Sequence, residues 1–139
     1  MAGGFHPDDV ERAFALALAL NGRHAESERV LTESGIADNN DTEVIRGLLM
    51  LQQSSYAAAE EILRPVAEAR SNEAKILNIF AATLYNQTRF EEAVTYLEGA
   101  DELDRSIEGI AANLSVAKAA RTAELLAENA ATVKAAPTK

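Results

Sequence analysis

The sequence contains no cysteine and no tryptophan. Without a thiol there is no disulfide framework and no thiolate chemistry, and the composition fits a reducing compartment. Basic residues are few: 13 Lys and Arg stand against 22 Asp and Glu, leaving a net charge of -9 that repels phosphate backbones and argues against a nucleic-acid partner. No apolar run is long enough to span a membrane, which argues against membrane insertion. The N-terminus lacks a basic segment followed by an apolar one, so no secretory leader is expected and the expected address is cytoplasmic. Runs of Val, Ile and Thr are also missing, and alanine supplies much of the 47% hydrophobic content. A strand-poor, alanine-rich composition predicts an all-α fold, and 139 residues predict one domain, 1–139.

The helical pattern is clearest from Ala74 to Asp104. Leu77, Phe80, Ala81 and Leu84 share one face of a first helix; Phe90, Ala93, Val94, Leu97 and Ala100 share one face of a second. A polar break, Asn86 to Arg89, separates them. Alanine stands where the two helices approach most closely, which predicts a helical hairpin with a tight crossing.

The rest of the chain reads in the same way. Residues 1–7 should be frayed, with Asp8 or Asp9 capping a helix over Val10–Leu20 that stops at Asn21-Gly22. A second helix covers His24–Glu33, followed by a break at Ser34-Gly35 and a polar loop over Asp38–Asp41. Thr42 should cap a third helix, Glu43–Gln53, and Ser54 or Ser55 a fourth running to Leu63. Pro65 should interrupt that fourth helix by removing the amide that would bond the Glu61 carbonyl, leaving Arg64–Arg70 as a kink or separate turn. Ser71-Asn72 should cap the next helix. One further helix, residues 106–129, carries Ile107, Ile110, Leu114, Ala117, Arg121 and Leu125 down one side; the tail 132–139 should be disordered.

The hairpin pattern recurs. Tyr56, Ala59 and Leu63 precede Phe90, Ala93 and Leu97 by thirty-four residues, and His24, Ser27 and Leu31 stand a further thirty-two upstream. Gly47 and Met50 fall at the offsets of Ala81 and Leu84, and Phe14, Ala15 and Leu18 complete the first set. These positions resemble the tetratricopeptide repeat, whose pattern places an aromatic, a small residue and an apolar residue at such offsets over roughly 34 residues. The resemblance covers units at about 8–39, 40–73 and 74–105, with the C-terminal helix 106–129 closing the last. It departs from the pattern at Ser27 and His24 in the first unit, at Glu43 and Arg46 in the second, and at Arg105, where proline is usual. It implies a right-handed superhelix of three such hairpins plus a C-terminal capping helix.

In that arrangement the first helix of each hairpin faces a concave groove. Projection from the packing residues puts Arg12, Leu16, Ala19, Leu20, Val44, Leu48, Leu51 and Gln52 there, with Asn78, Ile79, Ala82, Tyr85 and Asn86. A groove rich in Leu and Ile is a large exposed patch unless something fills it: a partner's amphipathic helix, the C-terminal helix folded back, or a second copy.

No catalytic constellation accompanies it. His6 and His24 lie eighteen residues apart with no carboxylate pairing that makes a metal site, and His24 takes a packing position. The sequence has no G-x-S-x-G, phosphate-binding loop or G-x-G-x-x-G. Glu60-Glu61 and Glu91-Glu92 are adjacent and point to different parts of a helix surface, and the acidic run Glu91 to Glu108 reads as a solvated face. Neither an enzyme, a metal nor a cofactor is expected.

Val44-Ile45-Arg46, Leu49-Met50, Tyr56 and Ala59, after Gly-Arg-His-Ala-Glu at 22–26, are similar to the tetratricopeptide-type chaperones of type III secretion needle proteins. Those cytoplasmic proteins hold the C-terminal helix of a needle subunit in an apolar groove beside a small co-chaperone. The resemblance implies a chaperone or adaptor for another protein's amphipathic helix. The alternatives are a structural or self-associating scaffold in a secretion- or pilus-type assembly, with homodimers, or a fragment of a longer repeat protein.

Overall fold

The computed structural model describes residues 7–33 and 39–135. Among the described residues there are seven α-helices: α1 (Pro7–Leu20), α2 (His24–Glu33), α3 (Asn40–Gln52), α4 (Tyr56–Ala69), α5 (Ala74–Tyr85), α6 (Phe90–Leu103) and α7 (Ile110–Ala135). They fall into two compact units, Met1–Ser71 and Asn72–Lys139.

Three hairpins, α1/α2, α3/α4 and α5/α6, turn in the same way. The first helix of each ends with one residue in the left-handed region: Gly22 at φ 77°, Ser54 at φ 60° and Thr88 at φ 60°. The amide of that residue bonds the carbonyl three before it, and the next amide reaches back five. Thus Gly22 N–H reaches Ala19 O at 3.0 Å and Arg23 N–H reaches Leu18 O at 2.9 Å; Ser54 and Ser55 bond Leu51 and Met50 at 3.0 and 2.8 Å; Thr88 and Arg89 bond Tyr85 and Leu84 at 2.9 and 3.0 Å. Each pair of hydrogen bonds satisfies carbonyls that the helix end leaves without a partner. The spacing of the three positions, thirty-two and then thirty-four residues, repeats that of the packing residues.

In the first unit, Ala15, Ala19, Leu31, Ile45 and Leu49 form a buried cluster, with Leu16, Val30 and Met50 packed against it. Ser27, where the pattern wants alanine, is fully buried, and its hydroxyl donates to the Ala15 carbonyl at 2.6 Å. The departure therefore ties α2 to α1 rather than weakening the crossing. At the α3/α4 crossing, a Cβ added at Gly47 would stand 2.8 Å from Cδ1 of Leu63 and closer still to its Cγ and Cδ2. Only glycine lets the two backbones come so close.

In the second unit, Phe80, Ala81, Leu84, Ala93, Val94, Leu97 and Ala100 are buried between α5 and α6. Phe80 meets Tyr96 edge-to-face with ring centroids 4.9 Å apart. The last helix, α7, packs on α6, and Ile110 and Ala117 are its fully buried residues.

Several local expectations are corrected. The first helix begins at Pro7, so Asp8 and Asp9 lie in its first turn rather than at a cap. Proline suits that position because its missing N–H has no intrahelical partner there. The cap of α3 is Asn39, whose side chain accepts from Thr42 N–H at 3.0 Å, while Thr42 itself is buried inside the helix. Glu73 rather than Ser71-Asn72 precedes α5. The fourth helix runs through Pro65 to Ala69 without a break. Pro65 still gives no amide to Glu61, but it faces outward while the next two residues, Val66 and Ala67, are each 1% exposed. Burying them holds the final turn in place despite the lost bond. The last helix starts at Ile110 rather than Ser106, because Asp104–Ser106 turns on itself and Gly109 takes φ 94°. It also continues through residues 132–135, where the sequence predicts disorder. The frayed end before Pro7, the break at Ser34-Gly35, the loop residue Asp38 and the tail after residue 135 lie outside the described residues.

Candidate functional site

The groove side chains expected from the sequence fall on both units. In the first, α1 carries Arg12, Leu16, Ala19 and Leu20, and α3 carries Val44, Leu48, Leu51 and Gln52. Ala19 is fully buried in the unit's core, and Leu16 packs against it. Leu20 is exposed; Val44, Leu48 and Leu51 are half-buried; Gln52 is exposed. Arg12 pairs through Nη2 with Asp9 at 2.8 Å, while its Nη1 is buried with no hydrogen-bond partner among the described residues. His24 borders a hollow between α2, α3 and α4 together with Glu28, Arg46, Met50, Gln53 and Ile62. Arg46 spans its rim, 3.8 Å from Glu28 and 3.0 Å from Glu43.

The second unit brings four of the expected residues together. Asn78, Ala82 and Tyr85 of α5 and its capping residue Asn86 line a cavity of about 220 Å³ with Ala81, with Leu97 of α6, and with Asn113 and Val116 of α7. Ile79 is half-buried and does not line it. The cavity has an apolar lining in Ala81, Ala82, Leu97 and the exposed Val116, together with three asparagines. Asn113 Nδ2 donates to Asn78 Oδ1 at 3.0 Å, joining α7 to α5 across the cavity. Asn86 Nδ2 donates to the Ala82 carbonyl at 2.8 Å, and the Tyr85 ring rests on Phe90 with centroids 5.2 Å apart.

Asn113 and Val116 were not legible as site residues. The sequence signal for α7 is its stripe of Ile110, Leu114 and Ala117, and these two positions lie to one side of it. The small residues Ala81 and Ala82 make the cavity, because an alanine at the α5 crossing leaves space that a larger side chain would fill.

No group of three His, Cys, Asp or Glu side chains that could hold a metal occurs among the described residues. None of the described helices is long and apolar enough to cross a membrane. The Ser106 hydroxyl and amide donate to Asp104 and hold its pKa below the usual value, with a smaller contribution from Lys75.

No family model and no curated protein matches the sequence. Solved structures do match. The chain is similar to MamA MSR-1, with 22% identity, a TM-score of 0.63, and cover of 84% of this chain and 68% of that one. It is similar to PcrH from Pseudomonas aeruginosa, with 15% identity, a TM-score of 0.64, and cover of 88% of this chain and 98% of that one. MamA AMB-1 matches with a TM-score of 0.53 and 17% identity over 79% of this chain and 80% of that one. At these identities the likeness concerns the fold: this is an all-α chain of tetratricopeptide-like hairpins.

Proposed function

We propose that this chain is a protein-binding module, a small chaperone or adaptor that holds an amphipathic helix of another protein against the α5–α7 cavity. The carrying observation is the cavity itself. At about 220 Å³ it is below the roughly 300–1,000 Å³ of small-molecule sites. It suits one or two apolar side chains presented from a helix, the usual anchors of helix-in-groove recognition. Its asparagines keep amide groups at the rim, where they can bond polar groups flanking an apolar anchor. The likeness in sequence to needle-protein chaperones supports the same reading, and with it a cytoplasmic client that self-polymerises when free. In the first unit, taken by itself, Leu20 of α1 is exposed and Leu48 and Leu51 of α3 are half-buried.

The test compares the native chain with Ala82→Arg and with Leu48→Asp/Leu51→Asp as baits in extracts of the native host. A client retained by the native chain should be lost from Ala82→Arg while its far-UV helical signal is kept, and loss from Leu48→Asp/Leu51→Asp as well would assign part of the binding to the first unit. Retention at unchanged affinity by Ala82→Arg contradicts the reading.

A further inference from the structure

The last helix carries two apolar stripes on opposite sides. At 100° per residue, Ile110, Leu114 and Ala117 centre on one line, the one that packs on α6. Val116, Ala119, Ala123, Leu126, Ala130 and Val133 centre on a line about 180° away and follow a three-four spacing, which is the heptad seam of paired helices. Every residue of this second stripe is exposed, with Val116 at 53%, Leu126 at 63% and Val133 at 75%. From Thr122 to Val133 every side chain on all sides of the helix is exposed. A free helical segment of that length is marginal in water even when rich in alanine.

We propose that this outer stripe is a self-association seam, occupied by the α7 of a second copy running antiparallel. Three observations select that occupant. First, between Asn113 and Val133 the residues flanking the seam are uncharged, namely Asn113, Ser115, Ala120, Thr122, Ala127 and Asn129, and Lys134 follows only at the seam's end, opposite Ser115 in the register below. In a chain of net charge -9, this is a face on which two copies meet without like charges opposed. The charged residues Lys118, Arg121, Glu124 and Glu128 lie off the seam. Second, the antiparallel register matches sizes. Val116 faces Val133 of the other copy, Ala119 faces Ala130, and Ala123 faces Leu126, so the bulky valines pair at both ends and alanines permit close approach between. Third, this register lays the uncovered half of each helix along the half that its counterpart packs on α6, and it opposes the helix dipoles. The arrangement is two-fold symmetric and closes on itself. Its length, about 26 Å between Val116 and Val133, buries on the order of 1,000 Å² in total, the lower end of specific interfaces. The dimer is accordingly a weak, concentration-dependent one. It goes beyond the client cavity, with which it shares Val116 and the flanking Asn113.

Sedimentation of the full chain from micromolar to sub-millimolar concentration tests it. The mass should rise from 14.9 kDa toward twice that value. Leu126→Glu/Val133→Glu should stay monomeric throughout; both side chains are exposed, so the folded units are unaffected. A native chain that remains monomeric at the highest concentration, or a double variant that still dimerises, overturns the proposal. Because the chain has no cysteine, register is read directly. Val116→Cys/Val133→Cys should give a disulfide-linked dimer under mild oxidation, and Val116→Cys alone should not, since those two positions lie about 26 Å apart in the antiparallel pair. Cross-linking of the single variant overturns the antiparallel arrangement.

Discussion

Replacing Gly47 by alanine should destabilise the first unit, although alanine is the better helix former. The gain in propensity is about 1 kcal/mol. Against it stands the new Cβ, 2.8 Å from Cδ1 of Leu63 and closer still to Cγ and Cδ2, where ordinary contact begins near 3.4 Å. Leu63 is 1% exposed, so its side chain has no open space into which to turn. Overpacking of this kind costs about 2–3 kcal/mol, giving a net loss of about 1–2 kcal/mol. For a unit of this size that lowers the melting temperature by about 4–16 °C. Urea unfolding followed by far-UV circular dichroism measures it. The cause is tested by combination: Leu63→Ala alone should cost about 2–5 kcal/mol. In that background Gly47→Ala should be neutral or stabilising, so that the two changes couple by about 1–3 kcal/mol. A Gly47→Ala chain as stable as the native one, or strict additivity of the pair, would refute the close-approach argument.

Thr88 is a β-branched residue at φ 60°, and Thr88→Gly should stabilise the α5/α6 hairpin by about 0.5–1 kcal/mol; a loss measured by urea unfolding counts against strain at that turn. Pro65→Ala should restore the amide to the Glu61 carbonyl inside a helix that is already continuous, raising stability by about 1–3 kcal/mol, and an unchanged urea midpoint would mean that the lost bond costs nothing there. Asp104 has a lowered pKa, so its contribution is fully present above its ordinary value of 3.8 and is lost as pH falls through the lower folded value. The Ser106 amide resonance should therefore stay constant at neutral pH and move only in the acid range below that value, whereas a midpoint above 3.8 would contradict the hydrogen-bonded turn.

The hairpins were legible because their crossings are written in small residues. Gly47, Ala59, Ala81 and Ala93 stand at repeat offsets, and each is buried at a close approach. The turn positions Gly22, Ser54 and Thr88 carry the same period, yet only the first announces itself as glycine. At Pro65 the local rule, a missing amide, is outweighed by the burial of Val66 and Ala67 beyond it. Asn39 and Thr42 are both good caps, and which one closes the helix depends on the burial of Thr42, a tertiary fact. Of the positions projected from Leu77, Phe80 and Leu84, Asn78, Ala82, Tyr85 and Asn86 line the cavity and Ile79 does not. The α7 share, Asn113 and Val116, was not legible, because one packing stripe had already accounted for that helix.

The proposed seat for an apolar anchor from another protein's helix is the α5–α7 cavity. Once a client has been recovered from the native host, its isolated helix can be titrated into the full chain and followed by nitrogen–proton NMR. The largest shifts should fall on the side-chain amides of Asn78 and Asn113 and the backbone amides of Ala82 and Val116, and Ala82→Arg should abolish them. Binding that leaves those signals in place, or that survives Ala82→Arg, would contradict that seat.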